Sequence, residues 1–312
     1  MVIKKIAIVG IGGVGGYIGS KLCLKNSLNP TVFLTFIVRH STYDKILSSG
    51  LELEYLGDIY RAYPDYVFKN IEDIPKQDII IICVKHTQLS EVLTSFKGTC
   101  NEGSTFLTLL NGVENERVVK DMLPDCDIVE GSIFLASYKV SSTRIKQVGG
   151  YGSLQIASKK FNREELIDLK DIFEETGIKV SISDNLESML WEKYIYSSSV
   201  SCITSAYSIN IQNILTDRSL FFLLKELMNE VILLAKKKGV ILPSNILARS
   251  LRRLHLFQPS ASSSMRKDLE QNRPSEFNIL LGYVLSEASK LKIKTPNYTK
   301  IYKKINKKYN II

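Results

Sequence analysis

A glycine-rich turn between a short apolar run and a helical segment constrains the fold of this chain more than any other feature. Residues 6–9 predict a buried strand, and residues 15–25 predict a helix. The turn between them fits G-x-G-x-x-G in the strand–turn–helix context of dinucleotide-binding folds. A glycine-rich turn without a ligand is the alternative. The predicted cofactor contacts of the turn are Gly10, Ile11, Gly12, Gly13, Val14 and Gly15.

Each glycine of the pattern has its own physical reason. Gly10 permits the tight turn, Gly12 lets the backbone approach a pyrophosphate, and Gly15 lets the helix pack close to the strand. The helix N-terminus then offers backbone N–H groups and the positive end of its dipole to the phosphates.

The pattern of apolar runs changes at about residue 184. Residues 1–184 alternate buried strands with helices, which predicts a parallel sheet covered by helices, whereas residues 185–312 carry helical periodicity. The predicted fold class is α/β, a Rossmann dinucleotide-binding domain followed by an all-α domain. Two hairpins are predicted, one over residues 51–63 and one over residues 147–157 around Gly149, Gly150 and Gly152.

The net charge of +9 does not indicate a nucleic-acid partner, because no nucleic-acid-reading motif accompanies it. We interpret the basic C-terminal segment as a solvated helix face. No run of 18 apolar residues is present, so no membrane span is expected. The lysines of that segment are Lys290, Lys292, Lys294, Lys300, Lys303, Lys304, Lys307 and Lys308.

The cysteines are odd in number and form no metal-ligand pair, so we expect free thiols, a cytoplasmic protein and no bound metal. The sequence does not decide between a monomer and a homodimer. The five are Cys23, Cys83, Cys100, Cys126 and Cys202.

Arg39 follows the second predicted strand, where NAD-binding folds usually place an acidic residue, and the first acid comes only at Asp44. Because a guanidinium matches a 2′-phosphate, this position favours NADP(H) over NAD(H). A surface arginine is the alternative. Lys85, just past another buried strand, is a second candidate for a phosphate.

Four further residues are candidates for substrate chemistry. Asn111 closes a predicted strand, although Asn-Gly also favours plain turns. Lys193, Ser197 and Ser201 recur every four residues, so they share one helix face. Partial desolvation of Lys193 beside Trp191 would lower its pKa toward that of a general acid, whereas most helix lysines are solvated.

Ser275 and Glu276 taken alone predict only a helix start, with Ser275 as the N-cap. In combination with the other features, however, the chain resembles the ketopantoate reductase (2-dehydropantoate 2-reductase) family from end to end. The pieces that support this resemblance are the glycine motif over residues 10–17, Arg39, Val84, Lys85, Gln88, Asn111-Gly112, Trp191, Lys193, Ser264-Met265, Asp268 and Glu276.

The resemblance implies a Rossmann domain, a helical domain, a cleft between them, and NADPH-dependent reduction of 2-dehydropantoate to (R)-pantoate. It implies that Lys193 is the general acid and that Glu276 positions the substrate hydroxyl and the lysine. The implied substrate contacts are Asn111, Lys193, Ser197, Ser201, Ser264 and Glu276. The implied cofactor contacts beyond the glycine turn are Arg39, Lys85, Asn111 and Glu276.

One departure bears on the substrate, a small 2-oxo acid. The family often carries asparagine where this chain has Ser197 and Ser201, so a wider or wetter pocket is expected. Reduction of another branched or aromatic 2-oxo acid therefore stays open, as does a non-catalytic NADP-binding sensor.

Overall fold

The computed structural model describes residues 4–97 and 103–311 and divides into two compact units. The first comprises Met1–Leu110 and Glu114–Leu186. The second comprises Asn111–Val113 and Glu187–Ile312, so a three-residue loop from the first half of the sequence groups with the C-terminal helices.

The first unit is built on one ten-stranded sheet, in the order β4-β3-β9-β8-β7-β6-β1-β2-β5, with β10 paired to β9. Its strands are β1 (Lys4–Val9), β2 (Val32–Ile37), β3 (Leu51–Tyr55), β4 (Asp58–Ala62), β5 (Tyr66–Phe68), β6 (Ile79–Ile82), β7 (Thr105–Thr108), β8 (Asp127–Lys139), β9 (Arg144–Ala157) and β10 (Val180–Ile182). The α/β class is confirmed. Neighbouring strands of the sheet pair parallel except at β3–β4 and β8–β9, which pair antiparallel.

Helices flank the sheet in sequence and make up the second unit. Those of the first unit are α1 (Gly13–Leu28), α2 (His40–Ser49), α3 (Leu89–Ser95), α4 (Asn115–Met122) and α5 (Ile167–Glu174). Those of the second are α6 (Leu186–Tyr207), α7 (Ile211–Thr216), α8 (Arg218–Lys237), α9 (Ile246–Arg252), α10 (Ser264–Glu270), α11 (Tyr283–Lys290) and α12 (Pro296–Tyr309). A π-helix (Asn278–Gly282) runs directly into α11.

The central strand β1 shows why both faces of the sheet are covered. Ile6 and Ile8 belong to the core that includes α1, and Ala7 and Val9 belong to the core that includes α3. All four are at most 3% exposed. Because successive side chains of a strand point to opposite faces, a strand buried on both faces reads as a continuous apolar run.

The hairpin predicted over residues 51–63 is confirmed, since β3 and β4 pair antiparallel. The hairpin predicted over residues 147–157 is wrong, because those residues lie within the single strand β9. Gly150 (φ +69°) faces a shift in the β8–β9 register near Phe134, and a Cβ on it would lie 2.6 Å from the Phe134 oxygen. The glycines therefore serve an irregular ladder rather than a turn.

Strand β8 has no counterpart among the predicted strands. Glu130 and Gly131 interrupt its apolar pattern, although both are buried in the sheet. Polar and glycine residues inside a strand weaken the signal that sequence patterns provide.

The elements assigned to the second unit are all helices, and α6 is its most buried helix. The lysines of α12 are exposed, and its buried side chains are Tyr298, Ile301 and Ile305. This arrangement agrees with the expected solvated basic face. No helix in the described ranges is long and apolar enough to cross a membrane.

The cysteines only partly follow the expectation of free thiols. Cys23, Cys83 and Cys202 are free, whereas Cys126 is disulfide-bonded. Cys100 lies outside the described residues. Spacing along the sequence does not reveal which cysteines the fold brings together, so free thiols were the wrong expectation for Cys126.

Candidate functional site

The backbone of the glycine turn has a conformation that glycine adopts readily and other residues rarely adopt. Gly10 has φ +95°, in the left-handed region that favours glycine, and its oxygen accepts a hydrogen bond from the Gly12 nitrogen at 2.9 Å. A Cβ on Gly15 would lie 2.2 Å from the Gly10 oxygen. These two glycines are therefore required by the turn itself.

Gly12 differs, because a Cβ added to it would meet nothing within 4 Å. It is the N-cap of α1, where no side chain caps the helix and no acidic residue lies in the first turn. The chain thus leaves open space and the positive end of a helix dipole at one point, which fits the pyrophosphate of a dinucleotide.

Gly13 has a packing role that its place in the motif does not reveal. A Cβ on it would lie 2.4 Å from the backbone oxygen of Ser137, which is on β8. Val14 beside it is half-buried, and Ile11 is buried. The first turn of α1 is therefore in close contact with the distal half of β8.

Strands β2 and β6, which pair with β1 on either side, end level with it in the sheet. In the sheet register Val9 is opposite Ile37 and Ile82, the last residues of β2 and β6. Arg39 and Lys85 follow these strands by two and three residues, so both lie at the carboxyl edge together with the glycine turn. Arg39 is exposed and is the N-cap of α2, and Lys85 is half-buried.

In the second unit, Asn111 and Glu276 are in direct contact although they are 165 residues apart in sequence. The Asn111 amide nitrogen donates to Glu276 Oε2 at 2.7 Å, and Glu276 is only 8% exposed. A buried carboxylate has its oxygens fixed by its donors, so Asn111 orients this one.

The segment that follows Glu276 is tied to α6 by hydrogen bonds to its carbonyls. The Tyr194 hydroxyl donates to the oxygens of Ile279 (2.7 Å) and Leu280 (3.2 Å), and Ser198 Oγ donates to Leu280 at 2.6 Å. A π-helix leaves carbonyls out of the regular ladder, and here side chains of α6 satisfy two of them.

Lys193 directly precedes Tyr194 on α6 and is half-buried. The expected neighbour Trp191 instead packs its ring 5.6 Å from the Tyr194 ring and 6.4 Å from that of Tyr283. Residues two apart on a helix point in different directions. The lowered pKa of Lys193 stays a prediction. The bonds of Tyr194 fix the turn of α6 that carries Lys193.

The serines one and two turns after Lys193 are both removed from bulk water. Ser197 Oγ is buried and makes no hydrogen bond to a described residue, and Ser201 is 4% exposed. An unpaired buried hydroxyl is costly, so the Ser197 face of α6 suits a ligand with a polar group.

Ser264 is exposed at the start of α10, and its neighbour Ser263 makes the structural contacts. Ser263 Oγ accepts from the Arg266 nitrogen at 3.2 Å and lies 2.7 Å from Thr204 Oγ1 of α6. Because Thr204 is one turn after Ser201, the start of α10 is fastened to the same helix that carries Lys193.

Sequence patterns missed Glu192 and Arg253, which form a buried ion pair beside Lys193. Arg253 Nη2 lies 2.6 Å from Glu192 Oε1, and Arg249 Nη2 lies 3.0 Å from the same oxygen. Burial lowers the pKa of Arg253, and the Glu192 carboxylate opposes that shift. Neither residue belonged to a recognisable motif, so only the fold reveals the pair.

The described residues contain no cluster of three or more His, Cys, Asp or Glu side chains that could hold a metal ion.

Comparison with known proteins gives one consistent result. Residues 6–160 match the family described as ketopantoate reductase PanE/ApbA, and residues 185–309 match its C-terminal domain. The chain is 24% identical over 305 residues to a 2-dehydropantoate 2-reductase of Nostoc sp., covering 96% of this chain and 93% of that protein.

Two solved structures show the same fold. A PanE/ApbA family ketopantoate reductase from Ralstonia eutropha has a TM-score of 0.86 at 23% identity, covering 98% of this chain and 100% of that one. The ternary structure of D-mandelate dehydrogenase with NADH and anilino(oxo)acetate has a TM-score of 0.86 at 20% identity, covering 98% of each chain.

The two glycines of the turn are expected to respond differently to alanine. Gly15→Ala should lower the free energy of unfolding by about 1–3 kcal/mol, because its Cβ would overlap the Gly10 oxygen. Gly12→Ala should lower it by less than about 1 kcal/mol, because its Cβ enters open space. Urea unfolding of both variants measures the difference, and equal losses would contradict the turn geometry described above.

Tyr194→Phe should destabilise the protein by about 1–2 kcal/mol, because it removes the hydroxyl that donates to the Ile279 carbonyl and one of the two side-chain donors to the Leu280 carbonyl. Tyr207→Phe on the same helix is the matched control, since its ring stacks with Lys304 and its hydroxyl bonds to no described residue. Denaturant titration compares them. Identical midpoints for wild type and Tyr194→Phe would refute the tie between α6 and the π-helix.

Proposed function

Because the chain belongs to the ketopantoate reductase PanE/ApbA family, we propose that it reduces a 2-oxo acid with NADPH, and that 2-dehydropantoate is this acid. The observation that supports the proposal most is the hydrogen bond from Asn111 to the buried Glu276. Ketone reduction to an alcohol needs a hydride donor and a proton donor. The fixed carboxylate of Glu276 lies on the same compact unit as Lys193, the proposed proton donor.

The cofactor part of the proposal rests on the glycine turn and on Arg39. The open space at Gly12 and the uncapped start of α1 fit a dinucleotide pyrophosphate, with the whole turn from Gly10 to Gly15 and Lys85 as contacts. The related D-mandelate dehydrogenase structure holds NADH. Arg39 in place of an acid favours the 2′-phosphate of NADPH. When bound, NADPH supplies the hydride.

The reaction adds a hydride to the ketone carbon and a proton to its oxygen. Lys193 holds the proton at Nζ and donates it to that oxygen as negative charge develops there. Glu276 orients the substrate hydroxyl and the lysine, and Asn111 holds Glu276 in place. Asn111 and Glu276 also contact the cofactor in this proposal, and Ser264 contacts the substrate.

The substrate is the part of the proposal with a specific alternative. Ser197 and Ser201 are short side chains on the Lys193 face, and the buried Ser197 hydroxyl is unpaired within the described chain. D-Mandelate dehydrogenase, with an aromatic substrate analogue, shares the fold. A bulkier branched or aromatic 2-oxo acid is therefore the second candidate, with the same chemistry at Lys193.

If the substrate is 2-dehydropantoate, the product is (R)-pantoate. We propose that the protein then acts in pantothenate and coenzyme A synthesis in the cytoplasm.

The proposal predicts NADPH oxidation by the purified chain when 2-dehydropantoate is added, followed as loss of absorbance at the nicotinamide band. Phenylglyoxylate and 2-oxoisovalerate are measured in parallel, each with NADPH and with NADH. Turnover of only one of the latter acids would favour the alternative substrate. NADPH binding with no oxidation by any acid would overturn the proposal in favour of a sensor.

Lys193→Met should lower kcat by about 10²–10⁴-fold with little change in NADPH affinity, because it removes the proton donor but not the dinucleotide site. Lys237→Met, an exposed lysine of α8, is the matched control and should retain activity. Steady-state kinetics and fluorescence titration with NADPH give the two quantities. Wild-type kcat in Lys193→Met would refute the role of this lysine.

A further inference from the structure

Two cations of the first unit, Arg39 and Lys139, are near enough for the charge of one to act on the other. Arg39 follows β2, and Lys139 is the last residue of β8. Both side chains are exposed, and within the described ranges neither forms an ion pair. Two neighbouring like charges are unfavourable unless an anion joins them.

The topology explains how a residue of β8 reaches Arg39. Thr108, the last residue of β7, is opposite Glu130, and Ile82 of β6 is opposite Thr108. Strand β8 therefore continues well past the row in which its parallel neighbours end. This extension pairs with β9 and packs on α1. At that contact the backbone oxygen of Ser137 occupies the space that a Cβ on Gly13 would need. Lys139 follows Ser137 by two residues, so it lies toward the edge of the sheet at which β1 and β2 end.

The electrostatics agree with this placement. Partial loss of hydration lowers the pKa of the Lys139 ammonium, and repulsion from the Arg39 guanidinium lowers it further. No carboxylate raises it again. Two ion-paired lysines show the opposite direction: the pKa of Lys146 is raised beside Glu54, and that of Lys170 is raised beside Glu174.

We propose that Lys139 is a specificity-determining residue that, with Arg39, binds the 2′-phosphate of the dinucleotide and selects NADPH over NADH. This inference rests on the proposed function, because it takes NADPH as the cofactor. The 2′-phosphate is a dianion on the adenosine ribose, so it suits two adjacent cations better than one.

The two side chains contribute in different ways. The planar Arg39 guanidinium offers a paired set of N–H donors to phosphate oxygens, and the Lys139 ammonium adds a point charge from a different strand. Helix α2, capped by Arg39 and free of acids in its first turn, adds the positive end of its dipole. All three elements belong to the first unit.

Binding of adenosine 2′,5′-bisphosphate and of adenosine 5′-monophosphate, measured by titration calorimetry without substrate, tests the inference. Lys139→Gln should weaken the bisphosphate by about 5–20-fold and leave the monophosphate within about twofold, because only the former carries the 2′-phosphate. Lys139→Glu should weaken the bisphosphate further. Lys146→Gln, a lysine of the same β8–β9 ladder already paired with Glu54, is the control and should bind both as wild type does.

The outcomes separate this inference from the proposed function. If wild type prefers the bisphosphate and Lys139→Gln keeps the full preference, the role of Lys139 is refuted and NADPH use stands. If wild type binds both nucleotides equally, no 2′-phosphate is recognised, and both the inference and the choice of NADPH fail. Ketone reduction with NADH would still be open to test in that case.

The ratio of kcat/KM for NADPH to that for NADH provides a second measurement. It should fall about 5–20-fold in Lys139→Gln through the KM for NADPH, with kcat unchanged, because the charge acts on binding and not on the chemical step. A loss confined to kcat would contradict a role in cofactor selection.

Discussion

The shared register of the central parallel strands is the constraint on which the rest of the first unit depends. Val9 is aligned with Ile37 and with Ile82, so the chain leaves β1, β2 and β6 in one row. The glycine turn, Arg39 and Lys85 are consequently neighbours at one edge, without any motif that links them directly. The β8–β9 extension then crosses α1 at Gly13 and adds its own side chains to that edge.

A comparable constraint in the second unit is the fastening of neighbouring segments to α6. Tyr194 and Ser198 bind carbonyls of the π-helix that follows Glu276, and Thr204 contacts Ser263 at the start of α10. Each bond involves groups that would be costly to bury unpaired. Residues that take no part in the proposed chemistry therefore tie to α6, which carries Lys193, the segment that follows Glu276 and the start of α10, where Ser264 lies.

The sequence predicts the parts of this protein that depend on local pattern. The turn at Gly10 and the helical second half follow from glycine spacing and periodicity. Strand β9 was mistaken for a hairpin because Gly150 and Gly152 resemble turn residues when their partner strand is unknown. The contact of Asn111 with Glu276 spans 165 residues, so no local pattern predicts it, although the resemblance implied that both residues contact the substrate. Lys139 gave no sequence signal, since Arg39, the cation with which it is proposed to act, lies far away in the sequence, just after β2.

The most direct test of the account is a crystal structure of the protein with NADP⁺ and the 2-hydroxy acid product of its preferred substrate. The account predicts that Lys193 Nζ lies about 2.6–3.2 Å from the 2-hydroxyl oxygen, with Glu276 still bonded to Asn111. A product bound with its hydroxyl away from Lys193, and with another side chain at that oxygen, would contradict it.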